Sequence, residues 1–243
     1  MSSQNKSQFE QFNTDFQTFQ KRAEKNGSEK MFAAGIFADN RGKVLMVHDQ
    51  QETNKLWFKL PGGVPDSFLL NDHQEFIEEL VIELRKMKYS ELLITAIVQR
   101  ENKLSKEKKR LVPEKSLILE MVEETGYYPM EFGYVCDGYR FNKNGGKFDL
   151  WQVYFSIQKV ISPNAKNLES AIRYISDVKT LESLDKDVKQ MRVTVPFDEA
   201  IKKLGPLTHK EALAIHFAKQ ERYFFKREEF AMARRYAEAL YAA

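Results

Sequence analysis

The chain has 243 residues, 42% of them hydrophobic, and carries 38 basic against 35 acidic side chains for a formal net charge of +3. That length can bury a full core, and so near a charge balance does not impose nucleic acid or a membrane surface as a partner; any basic surface must be local. Cys136 is the single cysteine, the four histidines lack HxxxH-type ligand spacing, no apolar run is long enough to span a bilayer, and the amino terminus lacks the apolar core of a secretion signal, so a reduced, cytoplasmic protein is expected.

Along the chain, Phe9, Phe12, Phe16 and Phe19 recur at steps of three and four, which predicts an amphipathic helix from about Ser7 to Glu24, ended by Asn26-Gly27-Ser28. "FAAGIFAD", "KVLMVHD" and "LWFKL" read as three strands, with Asp39-Asn40-Arg41-Gly42 as the hairpin turn between the first two. After "LPGGVPDSF" a long charged stretch follows. Phe76, Ile77, Leu80, Val81, Leu84 and Met87 mark one helical face, and Leu92, Leu93, Ala96 and Ile97 mark a second segment. Its end, "RENKLSKEKKR", carries six basic residues against two glutamates; a solvated helix end or loop is the expected role, with a phosphate or nucleic-acid contact as the functional alternative.

Another helix is expected from Pro113, a residue tolerated in a first turn, to Gly126, placed for a left-handed cap. "EFGYVCDGYRF" and "KFDLWQVYFSIQKV" then form a hairpin about Asn144-Gly145-Gly146, followed by a strand in "KQMRVTVPF", the segment Asp198 to Leu204, and a mostly helical tail from Thr208 to Leu240. Trp57, Phe58, Tyr127 and Tyr128 could stack a base, but packing is the commoner use of such residues. His209 and His216 are expected to face the helix packing or the surface, and Asp185 and Asp187 to be turn acids or visitors to the site from another loop.

The helix from Pro113 holds the chemistry. Glu120 and Glu124 stand one turn apart, and Glu123 is three residues from Glu120, so the three carboxylates project together while Leu117, Ile118, Met121 and Val122 occupy the other side. Like charges at this spacing cost a few tenths of a kcal/mol each, by rough estimate, and more where water is excluded. A solvated acidic face would tolerate that cost. A hard divalent cation would cancel it, because Mg2+ is commonly held by a few carboxylates together with water and substrate phosphates.

"LWFKLPGG", Leu56 to Gly63, followed later by "LEMVEETGY", resembles the two halves of a Nudix box, GX5EX7REUXEEXGU with U a bulky apolar residue. Gly63 matches the first glycine, Glu120, Glu123, Glu124 and Gly126 match the later acids and glycine, and Met121 matches U. The short loop between the halves is expanded by roughly forty residues. Leu111 stands where the first glutamate belongs and Leu119 where the arginine belongs; counting forward from Gly63 gives Leu69 instead of the acid. Asp66, Asp72, Glu75, Glu107 and Glu114 are candidates to replace it, and no spacing selects one.

The resemblance implies an α+β fold, a Nudix-like α/β/α sandwich with a mixed sheet, an inserted helical segment, and helical N- and C-terminal additions. It divides the chain into an amino-terminal amphipathic helix (1–29), a Nudix-like domain (30–216) with a helical insertion at about 70–110, and a helical extension (217–243). It further implies Mg2+ or Mn2+ held by Glu120, Glu123 and Glu124, which are also the catalytic candidates with Glu120 a candidate base, and Gly62 and Gly63 shaping the substrate-binding loop. The implied activity is hydrolysis of the diphosphate linkage of a nucleoside diphosphate derivative by activated water. The alternative is a nucleotide- or RNA-binding regulatory protein of the same fold with weak or lost catalysis. The helical additions must bury apolar faces, either around the sheet or in a homodimer; nucleic acid is a weaker partner expectation for the aromatic and basic tail, and no membrane is expected.

Overall fold

Residue alternation along the first strand determines the layering. The structure is a computed structural model that describes residues 30–48, 58–64, 72–107, 110–142, 147–163, 165, 167–176, 192–205 and 207–219. The expected Phe-rich helix, Trp57, Asp66, Asp185, Asp187, the Asn144-Gly145-Gly146 turn and the chain beyond residue 219 lie outside them. Strand β1, Lys30–Ile36, lies parallel to β6, Lys147–Ile161, and antiparallel to the two-residue β4, Gly62–Gly63. β6 pairs along its length with β5, Tyr128–Asn142, as the expected hairpin partner, and its far end takes up β7, Ile172–Tyr174. This mixed sheet is the expected one.

A second sheet orders β3, β2 and β8: Phe58–Lys59, Lys43–His48 and Arg192–Pro196, all antiparallel. The turn at Asp39 forms as expected, with the Asp39 side chain accepting from the Arg41 and Lys43 amides at 2.8 and 2.9 Å. The two strands it joins do not stay paired, however. Beyond the Ala38–Val44 bridge, β1 and β2 part into different sheets, because Val44 and Met46 pack with one side of β1 while β2 takes its ladder partners from β3 and β8.

Met31 and Ala33 of β1 face the helix α3, Val112–Thr125, through Leu117 and Met121. Phe32, Ala34 and Ile36 face the opposite way, into a cluster with the second sheet and with α5, Phe197–Lys203, and α6, Leu207–Lys219. That alternation is the period-two rule for a sheet covered on both faces, and it yields the helix–sheet–helix layering the resemblance implies. A four-residue helical turn, α4, Leu168–Ala171, leads into β7.

The inserted segment folds as two helices, α1, His73–Lys86, and α2, Glu91–Glu107, separated at Lys88, whose φ of 62° breaks the helix. Phe76, Leu80, Leu84, Leu93 and Ile97 form a core with Ile118 and Val122 of α3 and with Tyr128. Helix α3 is therefore covered twice: Leu117 and Met121 touch the sheet, while Ile118 and Val122 touch the insertion. Its ends follow the expected signals, with Pro113 in the first turn and Gly126 closing it at φ 70°. The two arginines of the basic run point inward. Arg110 pairs with the fully buried Glu101 through two bonds of 2.6 and 2.8 Å, and Arg100 donates to the Met130 carbonyl at 2.8 Å, so these two charges belong to packing rather than to a phosphate-binding surface. Among the described residues no helix is long and apolar enough to cross a membrane.

Candidate functional site

The strand β3 ends in Leu60-Pro61, and the chain then turns sharply through Gly62 and Gly63 beside β1. Gly62 has φ 153°, and a Cβ there would lie 2.2 Å from the Ala33 carbonyl oxygen, so only glycine brings this backbone so close to β1. Gly63 answers a different demand. A Cβ on it would fall 2.1–2.3 Å from the three atoms of the Glu120 carboxylate, which means that this carboxylate lies in the space the glycine leaves.

Glu124, one turn further along α3, reaches the same turn. One oxygen, Oε2, accepts the Gly62 amide at 2.6 Å, and the other, Oε1, pairs with the Lys59 ammonium at 2.7 Å. The Lys59 ammonium also donates to the Gly62 carbonyl at 2.9 Å. On the far side, the Leu60 amide donates to His209 Nδ1 at 3.0 Å. That bond requires an unprotonated Nδ1, hence the neutral ring with its proton on Nε2, and burial holds the His209 pKa down to about 3, with a smaller push from Lys59. His209 and His216 are both buried, which excludes a surface role for either.

Electrostatics separate the two glutamates. Burial, then the charges of Glu124 and Glu123, push Glu120 up to about 8, with Lys59 acting weakly in the other direction. Glu124 is also raised, by burial, although Lys59 and the Gly62 amide oppose it. Among the described residues nothing forms a hydrogen bond or ion pair with Glu120. Glu123 is exposed and acts on its neighbours through charge. The sequence-predicted set is thus gathered in part: Glu120, Glu124, Gly62 and Gly63 meet, while Glu123 stands at the solvent side of the same face.

Glu120, Glu124 and Glu123 are the side chains here that could serve a divalent cation. Mg2+ is often held by one or two carboxylates completed by water and substrate phosphate, and among the described residues Glu120 is in no ion pair that would compete for it. Among the described residues no three His, Cys, Asp or Glu side chains converge to enclose an ion. Glu120, with Glu124 and Glu123, would hold it in an open arrangement.

Leu119 and Leu111, at the motif places of the arginine and first glutamate, are partly buried against the insertion core and the sheet-side core respectively. A charged group at 119 would lie partly buried against the core that α1 and α2 build with α3. The proposed replacements are otherwise engaged: Asp72 caps α1 and Glu114 caps α3 through the Leu111 amide at 2.9 Å, Glu107 lies 3.8 Å from Lys103 at the exposed end of α2, and Glu75 is exposed in the first turn of α1. Two residues at the site escaped sequence reasoning. Lys59 lies only three residues from Gly62, but a strand lysine is an ordinary exposed residue until the turn is built. Glu83 of α1 is buried, pairs with Lys86 at 2.5 Å and raises Glu120 by charge; only the docking of the insertion brings it near. Phe58, Tyr127 and Tyr128 are buried in packing.

No protein-family model matches the chain, and no curated protein matches it. Solved structures similar to it include a NUDIX hydrolase from Nitrosomonas europaea, at 12% identity and TM-score 0.44, covering 81% of this chain and 93% of that one. The likeness is to Nudix proteins. Shewanella oneidensis NrtR is similar at 10% identity and TM-score 0.44, over 79% of this chain and 63% of its own, and the E. coli ORF135 protein at 15% and 0.42, over 81% and 96%. The Nudix-like likeness concerns the outline of the fold alone.

Proposed function

We propose that the chain is a Mg2+- or Mn2+-dependent hydrolase that cleaves the diphosphate linkage of a nucleoside diphosphate derivative with water. One observation carries this reading: Glu120 and Glu124 converge from one face of α3 on the Gly62-Gly63 turn, and among the described residues Glu120 forms no ion pair there while Glu124 does. A bound divalent ion would neutralise the diphosphate and lower the pKa of coordinated water. Glu120, Glu123 and Glu124 are the residues to hold it, with Glu120, whose carboxylate is not tied to another side chain, the candidate base. Gly62 and Gly63 fix the turn against which the substrate is bound, and His209 supports that turn from behind.

A second reading, a nucleotide- or RNA-binding protein with weak or lost catalysis, is favoured by Leu111 and Leu119 at the motif positions of the first glutamate and the arginine. Incubation with Mn2+ and a panel of ADP-ribose, NADH, dinucleoside polyphosphates, coenzyme A and nucleoside triphosphates separates the two. The hydrolase reading expects turnover of at least one compound, abolished in Glu124→Gln. Tight nucleotide binding with no product from any compound supports the second reading.

A further inference from the structure

On helix α3 the place one turn before Glu123 holds Leu119, partly buried against the insertion core, and the ammonium of Lys115 donates to the Asp72 carbonyl at 3.2 Å. The positive charge arrives from another element. Lys59, on the two-residue strand β3, reaches past Pro61 and is mostly buried, with 19% of its side chain exposed against 13% for Glu124. Its ammonium binds two oxygens at once, Glu124 Oε1 at 2.7 Å and the Gly62 carbonyl at 2.9 Å, while the Gly62 amide binds Glu124 Oε2 at 2.6 Å.

These three bonds close a ring through side chain, turn and helix. Both oxygens of Glu124 are fixed, so its carboxylate has one orientation, and the turn is tied to the last turn of α3. Lys59 thus forms an ion pair with a carboxylate of α3 from a different element of the fold. A charge-assisted bond with this little solvent around it is stronger than a surface pair of the same length. Glu120 lies on the adjacent glycine, so any shift of the turn also shifts the surface on which Glu120 rests.

We propose that Lys59 is a positioning residue for the hydrolytic site, acting through Glu124: it holds that carboxylate and the Gly62-Gly63 turn in register, in place of a cation on α3 itself. The proposal rests on the hydrolase reading for its effect on rate, but the clamp can be observed without turnover. Its signature is dependence on the partner, since removing Lys59 should matter only while Glu124 is present to be held.

The test is a double-mutant cycle over Lys59→Met and Glu124→Gln, with Lys59→Arg as the conservative variant, read in two ways. In steady-state hydrolysis with Mn2+, Lys59→Met is expected to lower kcat at least tenfold with substrate KM within about twofold, and Lys59→Arg to recover most of the loss. In amide hydrogen exchange of the metal-free protein, the Gly62 amide is expected to exchange about tenfold faster in Lys59→Met and in Glu124→Gln, and no faster in the double variant. Wild-type kcat in Lys59→Met, or faster Gly62 exchange from Lys59→Met that persists in full in the Glu124→Gln background, overturns the proposal. If wild-type protein hydrolyses nothing, the hydrolase reading fails separately, and unchanged Gly62 exchange in Lys59→Met overturns the clamp. Thermal melts of each variant identify any that fail to fold, in which case Lys59→Arg, which keeps the charge but changes its geometry, carries the exchange comparison.

Discussion

Two carboxylates within reach of α3 meet opposite fates. Glu101, in the insertion, is fully buried yet fully compensated: Arg110 grips both of its oxygens, Tyr128 donates its hydroxyl to one of them, and the guanidinium lies 5.2 Å from the centre of the Phe132 ring. Glu120 is less buried and faces Glu124 and Glu123, and among the described residues it has no ion pair. Folding alone explains the first arrangement, because a buried charge must be paired or it destabilises the chain. It does not by itself explain the second, where burial and two neighbouring carboxylates push Glu120 up to about 8, and perturbed groups of this kind are more frequent at functional sites.

The sharpest break of that comparison is Arg110→Met. It leaves Glu101 charged and unpaired in the core, and the expected loss is about 3–5 kcal/mol, seen as a drop of roughly 10 °C or more in Tm. A melt within a degree or two of wild type would mean that the insertion is not held by this pair.

Next in size is Gly62→Ala, which sets a Cβ against the Ala33 carbonyl at a φ of 153°. Backbone cannot yield as a side-chain tip can, so about 2–3 kcal/mol of stability should be lost. Gly63→Ala should do the reverse, costing less than about 1 kcal/mol because the Glu120 carboxylate can swing aside, while Mn2+ binding and turnover fall. Equal losses of stability in the two alanine variants would show that Glu120 is not the atom group resting on Gly63.

The far side of the turn sharpens the contrast through pH. The His209 pKa is lowered from 6.5 to about 3, so between those values the unfolded chain binds the proton that the folded chain refuses. The stabilisation from a neutral His209 is complete above about pH 6.5 and is lost as pH falls toward 3, by at most roughly 1.4 kcal/mol per pH unit. In His209→Asn the amide oxygen can still accept from Leu60 but does not titrate. Urea midpoints measured from pH 7 to pH 4 should fall less steeply in that variant than in wild type, and identical slopes would remove His209 from the account.

The smallest expected change in stability is Glu120→Gln. Removing one member of a repelling group should leave the metal-free Tm unchanged or raise it, by less than about 1 kcal/mol, while abolishing hydrolysis. A marked loss of stability would make Glu120 structural, like Glu101.

Much of this was legible in the residues. The 3.6-residue grouping of Glu120, Glu123 and Glu124, bounded by Pro113 and Gly126, specified α3 and its acidic face; "FAAGIFAD" reads as a strand, and its cover on both sides came from the structure. What could not be read was set by tertiary docking. Nothing local says that β1 and β2 part into separate sheets after the Asp39 turn, nor that Leu119 packs against the core of the insertion. Lys59 and Glu83 acquire their places only when the turn and the insertion pack on α3, so no spacing rule reaches them. His209 is separated from Leu60 by most of the chain, and only the fold makes it their hydrogen-bond partner.

The most direct test of the central claim is a Mn2+ titration followed by electron paramagnetic resonance, comparing wild type with Glu120→Gln in the presence of a non-hydrolysable nucleoside diphosphate analogue. Saturable Mn2+ binding is expected in the wild type, weakened at least tenfold in Glu120→Gln at unchanged Tm. Equal affinity in the two proteins, or no bound Mn2+ in either, would contradict it.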